Sequence, residues 1–172
     1  MNIASWSTHH TPIGPFTALV AADGAVIASG WTAEPHELLK VVPAALTPTE
    51  LRARDELGPV TRAVRRYHEG ELDAVDQVPV RQRSGEFIAH TWEVLRGVPA
   101  GKPLTYSDLA ELAGRPQAVR AAAAACARNA TALFVPCHRI VRIDGGLGGF
   151  RWGLHVKRWL LAHESPAGPS PR

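Results

Sequence analysis

The chain has 172 residues and a mass of 18.5 kDa, with 45% hydrophobic residues, 20% charged residues and a mean hydropathy of -0.08. That suits one globular domain of usual size or two small ones, and excludes a membrane span, which needs roughly 20 consecutive apolar residues. Met1-Asn2-Ile3-Ala4-Ser5-Trp6 has neither the basic start nor the apolar stretch of a secretory signal, and two cysteines cannot build a disulfide framework. The expectation is a cytoplasmic protein with reduced thiols and no membrane partner. Net charge is +3, unevenly spread: residues 1–85 carry 8 Lys and Arg against 10 Asp and Glu, whereas residues 86–172 carry 11 against 6. A polyanion would find its field in the second half, although the excess is modest.

Residues 16–20 and 25–28 flank Asp23-Gly24, a pair suited to the positive φ of a tight turn, and predict an antiparallel hairpin. Beyond a stretch broken by Pro43 and Pro48, Val60, Ala63, Val64 and Tyr67 have helical spacing, opened by Pro59 and closed by Gly70. Arg62, Arg65 and Arg66 sit largely off that apolar face, towards solvent. Residues 72–84, polar and turn-like apart from Val78-Pro79-Val80, read as a linker. The first part is therefore an α/β N-terminal domain over residues 1–80.

In the second part Phe87, Ile88, Thr91, Trp92 and Leu95 share one helix face, with Ser84 as a possible cap and Gly97 and Pro99 as stops. Thr105-Tyr106-Ser107-Asp108 resembles a capping box, followed by Leu109, Leu112 and a stop at Gly114; an alanine-crowded helix then runs from 117 to about 128. Two short helices across a glycine-containing turn form a helix-turn-helix candidate, a pattern shared with plain helical hairpins. The five alanines at 121–125 leave a shallow helix face, open to close approach or simply good helix formers. A mainly α C-terminal domain over residues 84–164 and a disordered Pro/Gly/Ser-rich tail over 165–172 complete the expected organisation.

Val135-Pro136-Cys137-His138-Arg139-Ile140-Val141 reads as an extended strand. Side chains on a strand alternate between faces, so adjacency alone does not make Cys137 and His138 a dyad: that requires a bend after Pro136 or a bridging water. A buried structural thiol beside a surface histidine fits the two residues as well. Cys126, mid-helix among alanines, reads as a packed thiol. His9, His10, His36 and His68 have no ligand spacing, and no metal or cofactor is expected.

Three segments together resemble the O6-alkylguanine-DNA alkyltransferases: Pro136-Cys137-His138-Arg139-Ile140-Val141, Gly145-Gly146-Leu147-Gly148-Gly149-Phe150, and residues 153–164. The resemblance continues upstream through Thr105-Tyr106-Ser107, Leu109-Ala110 and Leu112-Ala113-Gly114 to Arg120-Ala121 and Asn129, and more weakly in Thr11-Pro12-Ile13-Gly14-Pro15-Phe16. It implies a helix-turn-helix protein that repairs O6-alkylguanine in double-stranded DNA by irreversible, stoichiometric transfer of the alkyl group to Cys137. By the same resemblance His138 is the base, acting through a water, Glu164 orients its imidazole, Tyr106 donates to the departing guanine, and Asn129 ties the recognition helix to the active-site strand.

Arg120 would fill the gap left by the flipped nucleotide, with Ala121, Ala122 and Ala123 in the minor groove and Thr105, Tyr106 and Arg139 also at the DNA. Ile140, Phe150, Arg151, Trp152 and Gly153 would enclose the base. A monomer is implied, with cooperative assembly on DNA left open. Two departures stand out: Arg120-Ala121-Ala122-Ala123 replaces the family's Arg-Ala-Val-Gly, and Asn129-Ala130 replaces Asn-Pro, which would loosen the turn before the strand. A non-catalytic damage sensor would lack the cysteine present here, and a cysteine hydrolase would need an oxyanion site.

Overall fold

The computed structural model describes residues 2–166. Four strands, β1 (Ile3–Thr11), β2 (Gly14–Ala21), β3 (Val26–Gly30) and β4 (Glu50–Ala53), form a sheet of order β3-β2-β1-β4. The expected hairpin is β2–β3: Gly24 adopts φ +93° and the Asp23 carboxylate accepts the Ala25 amide. A second hairpin, β1–β2, turns at Gly14 (φ +112°), where the Thr11 hydroxyl donates to the Gly14 carbonyl and accepts from Ile13 N–H. β4 adds to β1 in parallel. The short helix α1 (Pro35–Leu38) precedes β4, and α2 (Pro59–His68) follows it, burying Val60, Ala63, Val64 and Tyr67 and leaving Arg62, Arg65 and Arg66 exposed.

Residues 72–84 are not a free linker. Val75 and Val78 are buried, Val26 N–H donates to Pro79, and Arg81 N–H donates to Val26, which pairs Val80 with the start of β3. The chain divides into two compact units, and the division is not a single cut: one holds the residues up to Arg83 together with Ala130–Phe134, the other Ser84–Asn129 and the residues from Val135 onward.

The second unit is built on α3 (Glu86–Arg96), α4 (Tyr106–Leu112), α5 (Val119–Arg128) and α6 (Leu154–Glu164), with a two-stranded parallel pairing of β5 (Leu104–Thr105) and β6 (Ile140–Val141). Gly85 caps α3 in place of Ser84 and supplies no side-chain bond, whereas α4 opens on a complete capping box between Thr105 and Asp108. Gly114 (φ +92°) follows α4, and α5 starts at Val119 after a turn at Arg115. Ala122 and Ala125 are fully buried, and the Trp92 indole of α3 donates to the Ala125 carbonyl at 2.8 Å. Methyl-sized side chains let α5 pack this closely, which is the structural use of part of the alanine run.

The extended strand expected over residues 135–141 is instead a single 3-10 turn, Cys137–Arg139, leading into the two-residue β6. Pro136 (ψ 65°) leaves extended geometry, and its carbonyl accepts the Arg139 amide. After α6, Ser165 N–H donates to the Ala162 carbonyl; the tail predicted over 165–172 lies, from residue 167, outside the described residues. Among the described residues no helix is long and apolar enough to cross a membrane.

Candidate active site

The turn after Pro136 brings Cys137, His138 and Arg139 into one buried bend, at 8%, 0% and 4% exposure. Asn129, at the C-terminal end of α5 and itself buried, donates its side-chain amide to the Val135 carbonyl at 2.8 Å and to Cys137 Sγ at 3.3 Å. One carboxamide thus fixes the chain before the turn and touches the sulfur. Burial pushes the Cys137 thiol up, while the Asn129 hydrogen bond and the charges of Lys157 and Arg151 pull it back. The net result is a protonated resting thiol that needs a base.

His138 Nε2 lies 2.8 Å from Glu164 Oε2, and its other nitrogen, Nδ1, is buried with no hydrogen-bond partner among the described residues. Burial lowers the imidazole's pKa against the pull of Glu164, so the ring is neutral near pH 7. A neutral ring facing an ionised carboxylate carries its proton on Nε2, which leaves Nδ1 as a free acceptor. Burial alone would raise the Glu164 carboxyl, but His138 and Arg139 hold it well below the ordinary carboxylate range.

Arg139, expected at the DNA, is instead buried, with its guanidinium turned onto Glu164. Its guanidinium donates Nε and Nη2 to the two Glu164 oxygens at 2.9 and 3.0 Å, and Nη1 to the Val98 carbonyl at 2.7 Å. The bidentate Nε–Nη2 edge that would suit a phosphate is taken by this carboxylate. Glu164 falls four residues beyond Leu160 on the buried face of α6, which also carries Val156 and Lys157.

Lys157 was not among the predicted site residues. Its ammonium, 1% exposed, donates to the Ile140 carbonyl at 2.7 Å and reaches the Gly149 carbonyl at 3.4 Å. Burial lowers its pKa, and the two sulfurs oppose that shift. A lysine on the apolar face of an amphipathic helix was the available signal.

Tyr106, the first residue of α4, is half-buried, and burial with two thiols nearby pushes its hydroxyl up to about 12. It therefore stays a proton donor at neutral pH. Gly148 (φ +76°) passes so close that a Cβ there would lie 2.6 Å from the Tyr106 oxygen. Arg151, mostly exposed, donates to the Ala127 carbonyl of α5 at 2.5 Å, joining the loop after β6 to that helix. Phe150, Trp152 and Gly153 are partly exposed along the same loop. Arg120 is exposed in the first turn of α5, and Ala121 and Ala123 are partly exposed; Ala122 is buried and cannot line a groove. The Thr105 hydroxyl accepts the Asp108 amide as the α4 cap. Cys126 is partly exposed and its thiol is pushed up by burial. No cluster of three or more His, Cys, Asp or Glu suited to a metal occurs among the described residues.

Fold and site together define a helix-turn-helix unit with a thiol, an imidazole and a carboxylate at its centre. Residues 86–166 match the family model described as 6-O-methylguanine DNA methyltransferase, DNA binding domain. The chain is 38% identical over 130 residues to the bifunctional transcriptional activator/DNA repair enzyme Ada of Escherichia coli K12, covering 75% of this chain and 35% of Ada. It is 37% identical over 107 residues to the methylated-DNA--protein-cysteine methyltransferase of Shigella flexneri, covering 62% of this chain and 63% of that protein. These matches span less than two thirds of the relatives' own lengths. The crystal structure of Mycobacterium tuberculosis OGT in complex with DNA superposes with a TM-score of 0.78 at 26% identity, covering 96% of both chains. Residues 86–166 thus belong to the 6-O-methylguanine DNA methyltransferase DNA-binding-domain family.

Proposed function

We propose that this protein repairs O6-alkylguanine in double-stranded DNA by moving the alkyl group irreversibly to Cys137. The observation that carries the reading is the Cys137 thiol, hydrogen-bonded by Asn129 and set beside a neutral imidazole whose Nε2 is locked to Glu164 while Nδ1 stays free. The names of the relatives and the DNA complex of the M. tuberculosis neighbour support the substrate class.

The target base is extruded from the duplex, at a cost of a few kcal/mol, with Arg120 entering the vacated space and Ala121 and Ala123 at the groove. Cys137 gives its proton, through a water, to His138 Nδ1, and Glu164 stabilises the resulting imidazolium. The thiolate attacks the alkyl carbon, the carbon–O6 bond breaks and a carbon–sulfur bond forms. The departing guanine takes a proton from Tyr106, which regains one from solvent as His138 returns the thiol proton to water. The carbonyls of Cys137 and Ile140 accept the exocyclic amine in this reading, and Phe150, Arg151, Trp152 and Gly153 close the pocket. A thioether has no good leaving group, so each molecule acts once. The working unit is a monomer in the cytoplasm.

Titrating the protein with duplex carrying one radiolabelled O6-methylguanine tests this. Label should move to protein until one equivalent is consumed and then stop; continued turnover, or tight duplex binding with no transfer, would rule the reading out.

A further inference from the structure

The sheet-bearing N-terminal unit has no reacting group, yet it owns the five residues that separate Asn129 from Val135. Three of them are held by polar contacts. Ser29 N–H donates to the Ala130 carbonyl at 2.8 Å and the Ser29 hydroxyl donates to the Ala132 carbonyl at 2.8 Å. The Gln82 side chain makes the other two contacts: its carbonyl accepts Ala130 N–H at 2.8 Å, and its amide donates to the Thr131 hydroxyl at 2.9 Å. Ser29 and Thr131 are wholly buried, and residues 130–134 are all at 6% exposure or less. Leu133, at φ +78°, is the one non-glycine residue with positive φ among those described, so the segment is bent against its own preference.

We propose that Gln82 and Ser29 form a clamp that sets the register of the nucleophile turn, making Gln82 a positioning residue for Cys137. Asn129 reaches Val135 and Cys137 only if the five intervening residues hold their course. The Asn129-Ala130 pair, expected to loosen the turn because proline is missing, gains a backbone N–H that proline lacks, and Gln82 takes it. The carboxamide thus does by hydrogen bonding what a fixed φ would do by covalent restraint. The effect on transfer rests on the function proposed above; the effect on the turn does not.

The test compares the full-length parent with Gln82→Ala, Ser29→Ala and the double variant Gln82→Ala/Ala130→Pro. Three quantities are read: the transfer rate constant at saturating methylated duplex, the Kd for that duplex, and residue-resolved amide exchange. Losing the Gln82 contacts should slow transfer about tenfold, the scale of a net hydrogen bond, with Kd changed by less than about twofold. Exchange should rise at Ala130 to Ala132 and also at Cys137 and Arg139, whose amides close the turn. Proline at 130 should restore both properties. The proposal is overturned if faster exchange stays confined to residues 130–132, if transfer by a folded variant is unchanged, or if proline restores stability without restoring rate. A parent that transfers no methyl group removes the proposed function, and the exchange data alone then decide whether the clamp governs the turn.

Discussion

Arg139 and Glu164 meet as a buried bidentate ion pair, two guanidinium nitrogens at 2.9 and 3.0 Å from the two carboxylate oxygens. This pairing keeps Glu164 ionised without requiring a charged histidine, so His138 can sit neutral on Oε2 and still accept a proton at Nδ1. Removing one partner of a buried pair leaves the other charge stranded, typically at about 3–5 kcal/mol. Arg139→Met should therefore lower the denaturation midpoint strongly, measured by urea unfolding followed by circular dichroism. A phosphate-contacting arginine would give the opposite pattern, weaker duplex binding with stability intact.

Acid should destabilise the fold in two stages. His138 has a lowered folded pKa, so the unfolded chain takes up its proton first, near pH 6.5, and stability falls from there until the folded pKa is passed. Glu164 also has a lowered folded pKa; its contribution is complete above about pH 4.3, the unfolded value, and is lost as pH drops through the folded one. His9, lowered by burial, adds to the upper stage with the same sign. Unfolding free energies measured between pH 8 and pH 4 should show the upper decline, and His138→Gln should shrink it.

Gly148 is predicted to be intolerant of a methyl group. A Cβ would meet Tyr106 at 2.6 to 3.3 Å at a positive φ that L residues disfavour. Gly148→Ala should displace the tyrosine ring and slow transfer by more than about tenfold, while gel-shift affinity for unmodified duplex stays near the parent value. Equal loss in both assays would mean the substitution had disturbed the DNA-binding helices instead.

Asn129→Ala removes one of two hydrogen bonds to the Val135 carbonyl, which still accepts the Cys137 amide, and takes the side-chain amide away from Cys137 Sγ. A net intramolecular hydrogen bond is worth about 0.5–1.5 kcal/mol. Thermal unfolding should register that loss, and the transfer rate should fall beyond it because the thiol is no longer pulled towards its ionised form.

The site residues could be read from the sequence where short-range chemistry or a family pattern marks them. Thr105 and Asp108 declare their capping box within four residues, and the family pattern singles out Cys137, His138, Asn129 and Glu164, which the fold joins by hydrogen bonds as Asn129–Cys137 and His138–Glu164. Long-range partners were silent. Arg139 looks like any basic residue near a DNA site, and its carboxylate lies 25 positions away. Lys157 is legible only as a charge on an apolar helix face. β1 escaped because its alternation is weak: it lies between β2 and β4, yet only Ala4 and Ser7 are buried along it. The 3-10 turn at Cys137 was hidden by β-branched neighbours that favour strands, although Pro136 marked the place where a bend was needed. The detour of residues 130–134 leaves no local signature, since Ser29 lies about a hundred positions from its partners.

The most direct measurement is intact and peptide mass of the protein after reaction with duplex DNA containing one O6-methylguanine. A single added methyl on the Cys137 peptide, stoichiometric with lesion loss, absent in Cys137→Ala and unchanged in Cys126→Ala, is the predicted result. A methyl on Cys126, or an unmodified protein after the lesion has disappeared, would contradict the account.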